Sequence, residues 1–131
     1  MYLLDTNICI FLKNKKSPNV LQKIKENKHL GIYISSITVA ELQFGVYNSK
    51  YIEKNKISLI KFLTPFSILN FDDRDAQEFG KIRTSLKTEG KIICAYDMLI
   101  AAQAIAKNLI LVTNNTKEFC RIKNLNLEDW K

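Results

Sequence analysis

The sequence predicts an α/β protein in which helices cover both faces of a central parallel β-sheet. Short apolar runs alternate with helical segments along the 131 residues, and this alternation is typical of parallel sheets. Residues 109–112 are apolar at every position, as expected for a strand buried on both faces. Because no repeat, low-complexity tract or Pro/Gly-rich linker divides the chain, we expect one domain over residues 1–131.

Five short apolar segments are predicted to be the strands of this sheet. They are residues 2–4, 32–34, 67–69, 109–112 and, as an edge strand, 125–127. In parallel sheets, ligands bind beyond the carboxyl ends of the strands. Asp5 ends the first strand, and Asn114 and Asn115 follow the fourth. We therefore expect these three residues at the same edge of the sheet.

Six helices are predicted from cap residues at their starts and from Gly, Pro or polar turns at their ends. In chain order they are residues 8–13 (capped by Asp5, Thr6 or Asn7), 18–28 (begun by Ser17 and Pro18, ended by Gly31), 36–47 (capped by Ser35 or Ser36), 53–63 (ended before Pro65), 73–89 (led by Asp72, ended by Gly90) and 97–107. The third has apolar residues nearly all round and should be largely buried.

The fifth predicted helix is amphipathic and begins in the densest acidic group of the chain. Its packed face is predicted to contain Ala76, Phe79, Ile82 and Leu86. Negative charge at a helix N-terminus complements the helix dipole. We therefore interpret Asp72, Asp73 and Asp75 as structural.

The charge of the chain permits nucleic-acid binding without proving it. The net charge is +7, and lysines supply 17 of the 20 basic residues. A basic surface attracts phosphate backbones, but these lysines are scattered. Arg83 and the lysines are candidates for contacts with phosphate or with a protein partner.

Cysteine and histidine usage excludes several other classes. Cys9, Cys94 and Cys120 include no close pair, which argues against a disulfide framework and a zinc ribbon and favours reduced thiols in a cytoplasmic protein. His29 is the only histidine, so chemistry that needs a histidine base has little to use. No apolar run reaches the roughly 18 residues of a membrane span, so no membrane association is expected.

Three isolated acids are the most informative residues. Asp5, Glu41 and Asp97 lie in stretches that otherwise read as buried, and none has a basic residue within four positions. Asp5 or Asp97 could simply cap the helix behind it. Glu41 lies in mid-helix, where no cap role exists, and a buried ion pair is its structural alternative.

The predicted positions of the three acids allow them to converge on one pocket. Carboxylates some 4 Å apart would repel by about 4 kcal/mol at an effective dielectric near 20. A divalent cation would relieve that repulsion, and Mg²⁺ or Mn²⁺ prefers all-oxygen ligands. Such an ion could activate water against a phosphoryl group.

Four segments of the chain, in order, together resemble the PIN-domain ribonucleases of the VapC toxin type. They are residues 3–7 (LLDTN), 35–45 (SSITVAELQFG), 95–101 (AYDMLIA) and 112–119 (VTNNTKEF), with residues 127–130 (LEDW) resembling the usual C-terminus. The resemblance spans nearly the whole chain. It implies an α/β/α sandwich and a Mg²⁺- or Mn²⁺-dependent endoribonuclease that cuts RNA and is usually a homodimer. It also implies neutralisation by a cognate antitoxin whose C-terminal segment fills the acidic groove.

The same resemblance implies roles for the site residues. Asp5 and Asp97 would be metal ligands, and Glu41 would be a third acid that holds metal or water. Thr6, Thr113 and Asn115 would support the site. The chain departs from the family pattern at two places. Asn115 stands where many members have a fourth acid, so a second metal would need Glu118. Ala95-Tyr96 replaces the Gly-Pro often seen before the third acid.

Two other functions stay open at this point. A phosphatase of the Asp-x-Asp kind would use Asp5, but the second position is Asn7, which counts against it. A binding module within a DNA-binding toxin–antitoxin assembly would retain the acids without catalysis. Binding of Mn²⁺ separates this module from the nuclease.

Overall fold

In the computed structural model, which describes residues 1–14 and 17–131, five parallel strands form one sheet. The strands are β1 (Tyr2–Leu4), β2 (Ile32–Ser35), β3 (Ser67–Leu69), β4 (Ile110–Val112) and β5 (Leu127–Glu128). Their order across the sheet is β3-β2-β1-β4-β5. All adjacent pairs run parallel. The order makes β1 the central strand and β5 an edge strand, and the edge position of β5 was predicted.

Helices connect these strands. They are α1 (Thr6–Lys13), α2 (Pro18–Asn27), α3 (Ser36–Tyr47), α4 (Ile52–Leu63), α5 (Asp73–Glu89), α6 (Ala95–Ala106) and α7 (Thr116–Phe119), with a 3-10 turn at Lys28–Leu30 after α2. Asp5, Ser17, Ser35 and Asp72 cap α1, α2, α3 and α5 with their side chains. Gly90 ends α5 in the left-handed conformation, with φ 67°.

Two apolar cores, one on each face of the sheet, make the fold a three-layer α/β/α sandwich. Leu4 and Ile34 face the core that α1, α2, α3 and α4 cover. Leu3 and Leu111 face the opposite core, beneath α5 and α6. Side chains alternate between the faces of a strand, so adjacent leucines of β1 serve different cores. The predicted fold class is confirmed.

The prediction that α3 is largely buried is wrong. Phe44 is 69% exposed and Tyr47 is 59% exposed. Only the stripe of Thr38, Leu42 and Val46 is buried, because residues four apart lie on one face of a helix. Apolar composition therefore overstated how much of this helix the core covers.

Three smaller predictions also need correction. The last helix before β4 begins at Ala95 rather than at Asp97. Residues 116–119 form the short helix α7, which was not among the predicted helices. Ala76 is exposed, because Asp75 faces inward at the start of α5 instead and pairs with Lys107 at 3.5 Å.

Among the described residues, no helix combines the length and the apolar character needed to cross a membrane. Cys9, Cys94 and Cys120 are not joined in disulfides.

Candidate active site

The carboxyl ends of β1 and β4 bring Asp5 and Thr113 together. Asp5 N donates to the carbonyl of Val112 at 3.0 Å, which continues the sheet pairing to this position. Oδ1 of Asp5 accepts the amide proton of Ile8 at 2.8 Å, and Oδ2 accepts the hydroxyl proton of Thr113 at 2.5 Å. Asp5 is thus both a helix cap and a residue fixed in the predicted site.

Asp5 is 2% exposed, and its burial raises its pKa from 3.8 to about 6. The hydrogen bonds from Thr113 and Ile8 act in the opposite direction because they stabilise the charged form. The nearby charge of Glu41 raises the pKa further. Within the described residues no basic side chain forms an ion pair with Asp5, so burial disfavours its charged form.

Glu41 reaches the same site from α3. Its Oε1 accepts the hydroxyl proton of Thr6 at 2.6 Å, and the hydroxyl oxygens of Thr6 and Thr38 are 3.1 Å apart. Glu41 is only half-buried, so the expectation of an apolar setting is wrong for this residue, whereas its convergence with Asp5 is observed.

Asp97 approaches from the first turn of α6. It is the third residue of that helix, after the N-cap Cys94, so the interpretation of Asp97 as a cap is wrong. Its pKa is raised to about 6. Partial burial is the largest cause, and the charges of Asp5, Glu41 and Glu118 act in the same direction. Asp97 therefore interacts with all the other acids proposed for the site.

Glu118 enters the site because α7 turns the chain directly after β4. Asn115 Nδ2 donates to Glu118 Oε2 at 3.1 Å, and Asn115 N donates to Thr113 Oγ1 at 2.9 Å. A hydrogen-bonded chain thus runs from Asp5 through Thr113 and Asn115 to Glu118. Asn115 brings no charge to the site itself, but its amide positions the carboxylate of Glu118.

Thr38 is a site residue that the sequence reasoning missed. It is fully buried and touches the hydroxyl of Thr6, which holds Glu41. Its signal was its spacing, because a residue three positions before Glu41 lies on the same side of a helix. Asn114 has a buried Oδ1 without a hydrogen-bond partner among the described residues.

The acidic group Asp72, Asp73 and Asp75 lies elsewhere. Asp72 and Asp75 form a capping box at the start of α5. Lys107, just beyond the end of α6, pairs with both Asp72 and Asp75. Asp97 lies in the first turn of α6, so the helix, about 18 Å long at 1.5 Å per residue, separates the two groups. The structural interpretation agrees with this geometry.

The four site acids suit a hard divalent cation that keeps part of its water shell. Asp5, Glu41, Asp97 and Glu118 offer only oxygen donors, as Mg²⁺ and Mn²⁺ prefer. In the part of the chain that the structure describes, no three His, Cys, Asp or Glu side chains lie close enough to enclose an ion. Mg²⁺ commonly binds through one or two carboxylates and retains several waters, so an open acidic site fits its chemistry.

Comparison with known proteins gives consistent results. Residues 2–125 match the PIN domain family. The chain is 46% identical to Ribonuclease VapC2 of Rickettsia felis, over 99% of this chain and 98% of the relative. It is 37% identical to the tRNA(fMet)-specific endonuclease VapC of Shigella flexneri, over 98% and 97% of the two chains. The crystal structure of VapBC2 from Rickettsia felis bound to a DNA fragment from their promoter has a similar chain, with a TM-score of 0.94, 44% identity and coverage of 99% and 98%.

Proposed function

This chain belongs to the PIN-domain family, and on that premise we propose that it is a metal-dependent endoribonuclease, the toxin of a toxin–antitoxin pair. The observation that carries the proposal is that Asp5, Glu41 and Glu118 lie near enough to Asp97 for their charges to raise its pKa, which, like that of Asp5, is raised to about 6. Perturbed carboxyl groups clustered at a strand edge are typical of functional sites. The relatives named ribonuclease or endonuclease support the choice of RNA as substrate.

The site residues divide into ligands and supports. Asp5 and Asp97 would hold the ion, because the carboxylate of Asp5 is fixed by two hydrogen bonds and the charges of three other acids raise the pKa of Asp97. Glu41 would orient the attacking water or accept its proton. A bound Mg²⁺ or Mn²⁺ would polarise a phosphoryl oxygen and lower the pKa of a bound water.

The supporting residues restrict where these acids can point. Thr6 fixes one oxygen of Glu41 by a hydrogen bond, and the other oxygen would be left for the attacking water. Thr113 orients Asp5, and Asn115 does the same for Glu118. Groups that orient ligands in this way typically contribute 10- to 100-fold to metal affinity or activity, as an order of magnitude.

The antitoxin would dock in an apolar groove between α2 and α4, the α2–α4 groove. The cavity has a volume of about 630 Å³. Its apolar lining includes Leu21, Ile24 and Phe66, and its basic lining is Lys25, Lys28 and Lys61. No acid lines it within the described residues, so an amphipathic helix with acidic flanks would fit. The VapBC complexes among the solved relatives support a protein partner.

A homodimer would form through exposed apolar side chains on α3 and α4. Phe44, Tyr47 and Tyr51 are exposed near the end of α3, and Ile57 and Ile60 are exposed on α4. Apolar patches of this kind often mark interfaces. Sedimentation equilibrium of the toxin without antitoxin should give a dimer, and Ile57→Glu should shift it toward monomer.

Two alternatives make different predictions. The Asp-x-Asp phosphatase would hydrolyse small phosphate esters, whereas a nuclease would leave them intact. A non-catalytic binding module would neither bind Mn²⁺ nor cut RNA. Calorimetric titration with Mn²⁺ and an assay with a chromogenic phosphate ester separate both alternatives from the nuclease.

The decisive experiment uses toxin freed from its antitoxin and incubated with total tRNA and ribosomal RNA. Cleavage should require Mg²⁺ or Mn²⁺ and stop with chelator. Asp5→Asn and Asp97→Asn should abolish cleavage, while both variants keep the wild-type circular dichroism spectrum.

Asp73→Asn is the matched control, because Asp73 is an exposed acid in the first turn of α5. It removes the same charge and should leave cleavage unchanged. Full activity of Asp97→Asn would overturn the proposal.

A further inference from the structure

A second cavity lies between α5, the end of α6 and residues 121–124; we call it the α5–α7 pocket. Its volume is about 210 Å³. This is below the roughly 300–1,000 Å³ of pockets for drug-sized ligands. A single nucleoside unit or a sugar-phosphate is therefore nearer to its capacity than a larger cofactor.

The pocket has an apolar floor and a basic rim. Ile82, Leu86 and Ile122 form part of the floor and are buried. The charged lining consists of three basic residues, Lys81, Arg121 and Lys123, against one acid, Glu78, which leaves an excess of two positive charges. An apolar surface bordered by cations is suited to a base or ribose with its phosphate.

The cations of the rim differ in how well they are neutralised. Glu78 lies 3.3 Å from Lys81, and Glu89 lies 4.0 Å from the exposed Lys123. Arg121 is half-buried, yet no carboxylate within the described residues forms an ion pair with it. A half-buried guanidinium without an acid is a site for an external anion, and its planar fork matches phosphate oxygens.

One turn of chain connects Arg121 of the pocket to Glu118 of the acidic site. Arg121 N donates to the carbonyl of Glu118 at 3.1 Å, and the side chain of Glu118 belongs to the acidic site. The carboxylates of the acidic site repel a polyanion, so the affinity for RNA depends on basic residues elsewhere on the surface. Ile105, which lines the pocket, lies eight residues after Asp97, about 12 Å along α6 at 1.5 Å per residue. Arg121 would therefore attract a phosphate of the same RNA away from the acids.

We propose that the α5–α7 pocket binds a backbone phosphate of the RNA, with its sugar or base against the apolar floor, at a distance from the bond that is cut. The proposal rests on the proposed ribonuclease function and names a determinant of substrate binding. Arg121 contacts the phosphate directly, while Lys81 and Lys123 add attraction. Ser85, exposed on α5 at the pocket, offers a hydroxyl to the same group.

The test measures RNA binding by fluorescence anisotropy in an Asp97→Asn background, which prevents cleavage. Arg121→Gln should weaken binding about 5- to 10-fold, and it should lower the slope of log affinity against log salt by about one phosphate contact. Lys23→Gln is the matched control, because Lys23 is an exposed lysine on α2 that does not line the pocket. Equal affinities and slopes for the two variants would overturn the proposal.

A second pair of variants, at Ser85, tests the pocket without relying on the Arg121→Gln variant to fold correctly. Ser85→Glu places a negative charge in the pocket and should weaken RNA binding at least as much as Arg121→Gln. Ser85→Gln fills similar space without charge and should have a smaller effect. If Ser85→Glu loosens the antitoxin complex and leaves RNA binding unchanged, the pocket binds protein and the proposal is wrong.

The outcomes also separate this proposal from the proposed function. In the cleavage-competent protein, Arg121→Gln should raise KM and leave kcat nearly unchanged. RNA that binds through Arg121 but is never cut would contradict the nuclease and retain the pocket. Cleavage with a KM that Arg121→Gln does not change would contradict the pocket and retain the nuclease.

Discussion

Thr113 donates a 2.5 Å hydrogen bond to Oδ2 of Asp5 across 108 positions of sequence. The contact exists because β4 lies directly beside β1, with Val112 paired to Leu4. Thr113 also accepts the amide proton of Asn115 at 2.9 Å. One buried hydroxyl thus connects the principal acid of the site to the loop that positions Glu118.

Thr113→Val should reduce RNA cleavage about 10- to 100-fold, the usual cost of losing a group that orients a metal ligand. Valine preserves the shape of the side chain but cannot donate, so the pKa of Asp5 should rise further. Initial rates at saturating Mg²⁺ measure the effect. Thr113→Ser retains the hydroxyl and should recover most of the activity; if both variants behave alike, the hydrogen bond has no functional role.

Metal-free protein should be more stable at about pH 5 than at about pH 7.5. Asp5 and Asp97 have folded-state pKa values near 6 instead of 3.8, so the folded protein holds their protons more tightly than the unfolded chain. Their stabilisation is fully present below the unfolded pKa and is lost as the pH rises through about 6. The contribution of the buried Asp5 is on the order of 2 kcal/mol.

Thermal unfolding with chelator present tests this pH dependence. Asp72, whose pKa is lowered, acts in the opposite direction but below pH 4, outside this range. Asp97→Asn should flatten the profile between the two pH values, since it removes one titrating group and its repulsion of Asp5. A profile in Asp97→Asn as steep as that of the wild type would contradict a raised pKa for Asp97.

Docking of the antitoxin in the α2–α4 groove can be tested independently of catalysis. Leu21 lines the groove and is 42% exposed, so Leu21→Lys should weaken antitoxin binding more than tenfold by placing a charge against an apolar partner surface. Free toxin should still cut RNA at the wild-type rate. Surface plasmon resonance with immobilised antitoxin measures the affinity.

Leu30→Lys is the control for this groove variant. Leu30 has a similar exposure of 45% but does not line the groove. If the two variants weaken the complex equally, a general charge effect explains the loss and the antitoxin docks elsewhere.

The layers of the fold and the candidate acids could be predicted from the sequence, but the burial and hydrogen-bond partners of those acids could not. Strand ends and cap residues are local signals, so Asp5 was placed at its strand end without knowledge of the fold. The strand order was not a local signal, and only that order brings Thr113 to Asp5. Glu41 was expected in an apolar setting because α3 is apolar in composition, yet one face of that helix is exposed.

Asp97 and Glu118 illustrate the same limit. The start of α6 was predicted two residues too late, so Asp97 was interpreted as a possible cap, although it lies inside the helix. The short helix α7 was not predicted because four residues give little periodicity. That helix determines the position of Glu118, so its closeness to Asn115 and Asp97 could not be derived from the sequence.

Asn115→Asp should bind Mn²⁺ more tightly than the wild type and be less stable without metal. The amide of Asn115 donates to Glu118 at 3.1 Å, and a carboxylate in its place would repel Glu118 instead. At an effective dielectric near 20, two charges some 4 Å apart repel by about 4 kcal/mol, and a bound cation would reverse that penalty. Calorimetric titration and chelator-treated melting curves measure both effects, with Asn115→Ala as the control that loses the donor and adds no charge. Weaker Mn²⁺ binding in Asn115→Asp than in Asn115→Ala would mean that residue 115 lies outside the reach of the ion.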